Sequence, residues 1–187
     1  MLRSCPSRVF AVLLCAWPLG ARAMSSIRDG LVTIHLRNGH ACFSSPEDPA
    51  TKHFKYYFGF VHVYVADRPE PIWDAYVPDK SAVYPANPDS AEKCIEYGVA
   101  PPGAVTKVEP RALALDIPYS VFLACTIPPS RGHDRKYMTE FCLRRDDQGQ
   151  PVVVEAVRNV DTGEYRCLKP GEAEKRRSFW DRLFGRH

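Results

Sequence analysis

The stretch Phe54-Lys55-Tyr56-Tyr57-Phe58-Gly59-Phe60-Val61-His62-Val63-Tyr64-Val65 decides the fold. Strict alternation puts Tyr56, Phe58, Phe60, His62 and Tyr64 on one face and Tyr57, Gly59, Val61, Val63 and Val65 on the other. Aromatic and β-branched residues fill both faces, which is the composition of a central strand packed between layers. Asp67 to Pro71 reads as a turn, so Ile72 to Val77 pairs back as a hairpin partner with Trp73 in the core.

The same alternation extends in both directions. Leu31 to Leu36 sets Val32, Ile34 and Leu36 against Leu31, Thr33 and His35, and Asn38-Gly39 supplies a hairpin turn into Ala41-Cys42-Phe43. Ser44 to Thr51 and Pro78 to Ser90 read as loops, and Cys94 to Gly98 as a brief strand. Tyr119 to Ile127 places Val121, Leu123 and Cys125 on one face. Arg135 to Arg145 returns with Tyr137, Thr139, Phe141 and Leu143 facing one way and Met138, Glu140 and Cys142 the other. Asp146 to Gly149 turns the chain into Val152 to Val157, and Asp161 to Gly163 turns it again before Tyr165 to Leu168. Seven or eight short strands joined by hairpin signals predict an all-β fold, a single antiparallel immunoglobulin-like β-sandwich over residues 24–170.

Of the 187 residues, 45% are hydrophobic and 25% charged, which excludes a disordered or fibrous chain. The net charge of +3 belongs to the first 23 residues, which hold Arg3, Arg8 and Arg22 and no acid, leaving 22 bases against 22 acids. A balanced chain without a basic stripe argues against nucleic acid as a partner.

Residues 1–23 read as a cleaved signal peptide. Arg3 and Arg8 form its positive region, Val9 to Trp17 its apolar core, and Ala21-Arg22-Ala23 its cleavage site. The apolar run is far shorter than the ~20 residues a membrane-spanning helix needs. Cys15 follows Leu13-Leu14, and the bulk of Leu14 disfavours lipid attachment there. The expected location is therefore the periplasm.

Export implies an oxidising space, and beyond the leader lie Cys42, Cys94, Cys125, Cys142 and Cys167. Two disulfides with one cysteine left over leave five choices of unpaired residue, each with three pairings. No Cys-x-x-Cys pair points to zinc.

No residue pattern points to catalysis or to a cofactor. Gly-x-Ser-x-Gly, His-Glu-x-x-His and a Gly-rich phosphate loop are all absent. His35, His40 and Cys42 lie close in sequence, but their spacing through a hairpin specifies no metal geometry, and His62 reads as a core histidine. Asp146 and Asp147 serve a turn. Binding residues concentrate on exposed loops of a rigid frame. The expected hairpin loop Pro128 to Asp134 makes Arg131, His133, Asp134, Arg135 and Lys136 the candidate partner-binding residues, with Ser44 to Lys52 as a second place to look.

Four segments carry a resemblance. Val32-Thr33-Ile34-His35-Leu36-Arg37-Asn38-Gly39-His40-Ala41-Cys42-Phe43, Cys94-Ile95-Glu96-Tyr97-Gly98, Pro118-Tyr119-Ser120-Val121-Phe122 and Tyr137-Met138-Thr139-Glu140-Phe141-Cys142-Leu143 resemble, in order, the periplasmic immunity lipoproteins of type VI secretion systems. The resemblance spans residues 32–143. It implies a small β-sandwich protein that binds and neutralises a cognate effector toxin, such as a lipase or a cell-wall hydrolase. An envelope ligand-binding or structural module without a toxin partner is the alternative. Members of that family carry a lipidated cysteine, whereas Ala21-Arg22-Ala23 points to ordinary cleavage here.

Within that resemblance Cys42 and Cys94 suit a structural bridge. Cys125 and Cys142 flank a hairpin loop expected to centre near Gly132 and His133, which makes a second bridge between them the expectation and leaves Cys167 unpaired.

Residues 171–187 differ from the rest. Phe179, Trp180, Leu183 and Phe184 form an apolar stripe at helical spacing among five bases and three acids. A short amphipathic helix is expected, either docked over an open end of the sandwich or lying on an anionic membrane.

Overall fold

Asn38 and Gly39 both adopt positive φ, 51° and 82°, as a two-residue hairpin turn demands. In the computed structural model of the protein, which describes residues 30–46, 55–127 and 130–173, this turn joins β1 (Thr33–Arg37) to β2 (His40–Ser44) with Arg37 opposite His40. The remaining strands are β3 (Tyr57–Val65), β4 (Pro71–Tyr76), β5 (Ile95–Glu96), β6 (Val105–Val108), β7 (Tyr119–Ile127), β8 (Ser130–Arg145), β9 (Pro151–Arg158) and β10 (Tyr165–Cys167). The leader, most of the Ser44–Lys52 loop and the stripe of Phe179, Trp180, Leu183 and Phe184 lie outside the described residues. Among the described residues no helix is long and apolar enough to cross a membrane.

Two antiparallel sheets result. The smaller has the order β1-β2-β5, the larger β10-β9-β8-β7-β3-β4-β6. β3 is central, between β7 and β4, but only the face of Phe58, Val61 and Val63 joins the core, so the expectation of a packed layer on both of its faces is not met. The small sheet packs on one face of the large one, and their apolar side chains share one core containing Val32, Phe43 and Ile95 together with Val61, Trp73 and Phe141. Phe43 lies at the junction, its ring 5.8 Å from Phe141, 6.4 Å from Trp73 and 6.5 Å from Tyr97.

Strict alternation fails at one point of β3. The register against β7 shifts between Phe58 and Phe60, so Gly59 is the extra residue of a bulge. Its Cα lies so close to β7 that an added Cβ would stand 3.1 Å from the Ala124 carbonyl oxygen. The bulge turns Phe58 into the core beside Val61 and Val63, while Phe60, His62 and Tyr64 occupy the opposite face.

Two disulfides staple the frame. Cys42–Cys94 ties β2 to the residue before β5, with Cα atoms 5.4 Å apart. The second bridge is Cys142–Cys167, not Cys125–Cys142. It ties β8 to β10, which pair with successive parts of β9. The expected pair fails for two reasons. Cys125 stands opposite Arg135, so Cys142 is seven positions, or roughly 23 Å, further along β8. Cys125 also faces the main core, whereas Cys142 packs with Val154 and Ala156 in a separate cluster. Among the described residues the free cysteine is Cys125. Burial pushes its thiol up to about 12, against a weaker opposing hydrogen bond from Ser45, so it carries no thiolate at neutral pH. The two bridges fit an oxidising, exported environment.

Candidate partner-binding surface

The β7–β8 hairpin is longer than its sequence suggests. Pairing continues to Ile127 opposite Ser130, so positions 130–134, expected in a loop, belong to strand β8. The side chains of Arg131 and His133 lie outside the described residues. Asp134, Arg135 and Lys136 are half-buried instead of being solvated at a loop tip. Arg135 Nε donates to the Tyr56 hydroxyl at 3.4 Å, and Asp134 Oδ1 is buried without a hydrogen-bond partner. The backbone of these positions therefore belongs to the large sheet, which also carries an apolar face.

That face is the side of the large sheet opposite the small one. On β3, Phe60 and Tyr64 flank His62, with centroids 4.6 Å and 6.2 Å from its ring. Phe122 of β7 stacks on Phe60 at 5.6 Å with 16° between the planes. Opposite Phe122 stands Met138 of β8, and opposite Phe60 stands the exposed Tyr76 of β4. Phe60, Tyr64, Phe122 and Met138 are only partly buried and belong to neither apolar cluster. The cause is the two-residue period of the strands. Because Val61, Val63, Val121 and Leu123 fill the core, their neighbours must project outward, and here those neighbours are aromatic rather than polar. A contiguous apolar face of this kind on a β-frame is the character of an interaction surface.

A charged cluster borders it. Asp74 stands opposite His62 and is 3% exposed. Its Oδ1 lies 3.1 Å from His62 Nδ1. Its Oδ2 lies 3.9 Å from the ammonium of the exposed Lys107. Burial lowers the His62 pKa below its ordinary value of 6.5, outweighing the attraction of Asp74, and Lys107 lowers it further. His62 is therefore neutral at neutral pH and presents an uncharged ring between Phe60 and Tyr64. Burial and the Asp74 charge raise the Tyr64 phenol, which stays protonated.

A stability prediction follows from His62. A histidine with a folded-state pKa below its unfolded value takes up its proton more readily when unfolded. Its contribution is full above pH 6.5 and is lost as the pH falls from 6.5 toward the lowered folded value. Thermal melts of His62→Gln should lose that part of the acid sensitivity, whereas an unchanged pH profile would remove His62 as its source.

The other sequence candidates have structural roles. His35 Nε2 meets the Ser44 hydroxyl at 2.9 Å, and Cys42 is bridged to Cys94. Asp146 Oδ1 accepts from the amides of Gln148 and Gln150, which builds the turn before β9. Sequence reasoning missed Lys107, Asp74 and the outward aromatic face. The outward projection of Phe60, His62 and Tyr64 was readable from alternation, but the pairing of Asp74 with His62 and Lys107 depends on strand register.

Comparison of the chain with protein-family models, with curated proteins and with solved structures finds no match.

Proposed function

We propose that this chain is a periplasmic immunity protein that binds and neutralises a cognate type VI secretion effector, such as a lipase or a cell-wall hydrolase. The observation that supports it most is the outward face of Phe60, His62, Tyr64 and Phe122 on a two-sheet frame in which each sheet carries one disulfide. In this reading the sandwich is of the immunoglobulin kind, a rigid frame whose surface does the binding. Neutralisation by binding needs no catalytic group on this chain. It needs a few aromatic and Arg anchors that become fully desolvated against the partner. Phe122 and Phe60 are the anchors, and Arg131, His133, Asp134, Arg135 and Lys136 of the adjoining β8 form the polar rim that sets orientation. The leader delivers the chain to the compartment where its disulfides form.

The test is growth of a heterologous host that exports a candidate effector to its periplasm, with and without this protein, followed by copurification. Rescue with a stable complex is expected. Phe122→Glu should weaken the complex by about 2 kcal/mol or more, roughly thirtyfold, as loss of an interface hot spot does. Its melting temperature should change little, because Phe122 lies outside both cores. Failure of rescue with every candidate effector would return the chain to the envelope ligand-binding or structural reading.

A further inference from the structure

Between β1 and β9 runs a groove of about 510 Å³. Its apolar lining includes Leu31, Ile34, Val153 and Val157, and Leu31 is 67% exposed within it. Among the described residues, the charged side chains lining it are two acids, Glu140 and Glu155, with no base. A bulky leucine left open to water beside further apolar side chains calls for an occupant.

The chain itself leads to this groove. Ala173 forms part of its lining and is the last described residue. The approach is fixed just before it. The Glu172 carboxylate pairs with the Arg166 guanidinium at 2.7 Å and accepts from the Lys169 amide at 3.0 Å, which anchors the segment to β10. The next residues have the chemistry the groove lacks. Positions 174–187 bring Phe179, Trp180, Leu183 and Phe184, together with Lys175, Arg176, Arg177, Arg182 and Arg186 against only Glu174 and Asp181.

We infer that the groove between β1 and β9 is the docking site of residues 174–187 of this same chain, with the aromatic stripe against Leu31, Ile34, Val153 and Val157 and the basic residues beside Glu140 and Glu155. Length permits it. Five residues separate Ala173 from Phe179, and an extended chain of that length spans roughly 17 Å. Anchoring at Glu172 makes docking intramolecular, so it carries little of the entropy cost of a separate partner. The stripe is then held against the protein and is not available to a membrane.

The test reads Trp180 in the full chain, by subtracting the fluorescence of the Trp180→Phe variant so that Trp73 and Trp17 cancel. Burial of one large side chain favours the docked form about tenfold, so acrylamide should quench Trp180 about tenfold less than it quenches a free peptide of residues 174–187. Leu31→Asp and Glu155→Arg change exposed positions and should each restore quenching without lowering the melting temperature. The inference is overturned by a Trp180 as quenchable as in the peptide. It is equally overturned by shielding that survives both variants, or by shielding that appears only when anionic phosphatidylglycerol vesicles are added. None of these readings involves an effector, so they are independent of the proposed immunity function.

Discussion

Replacing Cys42 and Cys94 together by alanine should lower the unfolding free energy by about 4 kcal/mol, the larger of the two disulfide effects. The bridge joins positions 52 apart in sequence, and the entropy that a crosslink removes from the unfolded chain grows with the logarithm of that separation. Cys142–Cys167, at a separation of 25, should contribute about 3.5 kcal/mol on the same basis. Against the usual 5–15 kcal/mol for a whole domain, either loss is large. Position reinforces the order. Cys42–Cys94 holds the short β5 to the small sheet, where β5 pairs with β2 through only Cys42–Glu96 and Phe43–Ile95. The second bridge lies at the β10 end of the large sheet, in a cluster separate from the main core. Urea unfolding of the two double variants measures both values. A greater loss from Cys142/Cys167 would show that the native contacts around each bridge, rather than the unfolded chain, set the scale.

How far the sequence carries depends on whether a feature is local. The Asn38-Gly39 turn, the central strand ending at Val65 and the core faces of β7 and β8 were legible because turn chemistry and a two-residue period act between near neighbours. Phe58 was misplaced because one extra residue at Gly59 reverses the face of everything before it, and nothing local marks that glycine as a bulge rather than an ordinary strand position. The same sensitivity displaced the β7–β8 hairpin. Its tip was expected near Gly132 and His133, but Ile127 already pairs with Ser130, which changes the partner of every residue on β8. From that single shift came both the wrong partner for Cys142 and the loop assigned to Arg131–Asp134. β6 was missed because Val105-Thr106-Lys107-Val108 is only four residues long and lies at the sheet edge. That omission hid Lys107, and with it the charge beside Asp74. In the candidate surface, the aromatic row was written in the alternation of one strand, whereas the charged cluster exists only once three strands are in register.

Phe43→Ala should cost about 3–5 kcal/mol, the range for removing a fully buried aromatic ring and leaving part of the space empty. Phe43 contributes more than its own burial because its ring meets aromatic rings of the large sheet and of the segment after β5. It reaches Trp73 of β4, Phe141 of β8 and Tyr97, which follows β5. Without it these three rings border a common void, and each has its backbone held in a strand or turn that cannot close on the others. The loss should also be uneven. The ladders of β3 with β7 and of β7 with β8 are long and keep their own side-chain layer of Val61, Val121 and Leu123, so their amides should remain protected from hydrogen exchange. The amides of β1 and β2, the strands that carry and adjoin Phe43, should exchange faster. Phe43→Leu keeps most of the volume and should cost less than about 1.5 kcal/mol. Uniform acceleration across both sheets would instead mean that they unfold as a single unit, and that the outward face of Phe60, His62 and Phe122 depends on the small sheet as much as on its own ladder.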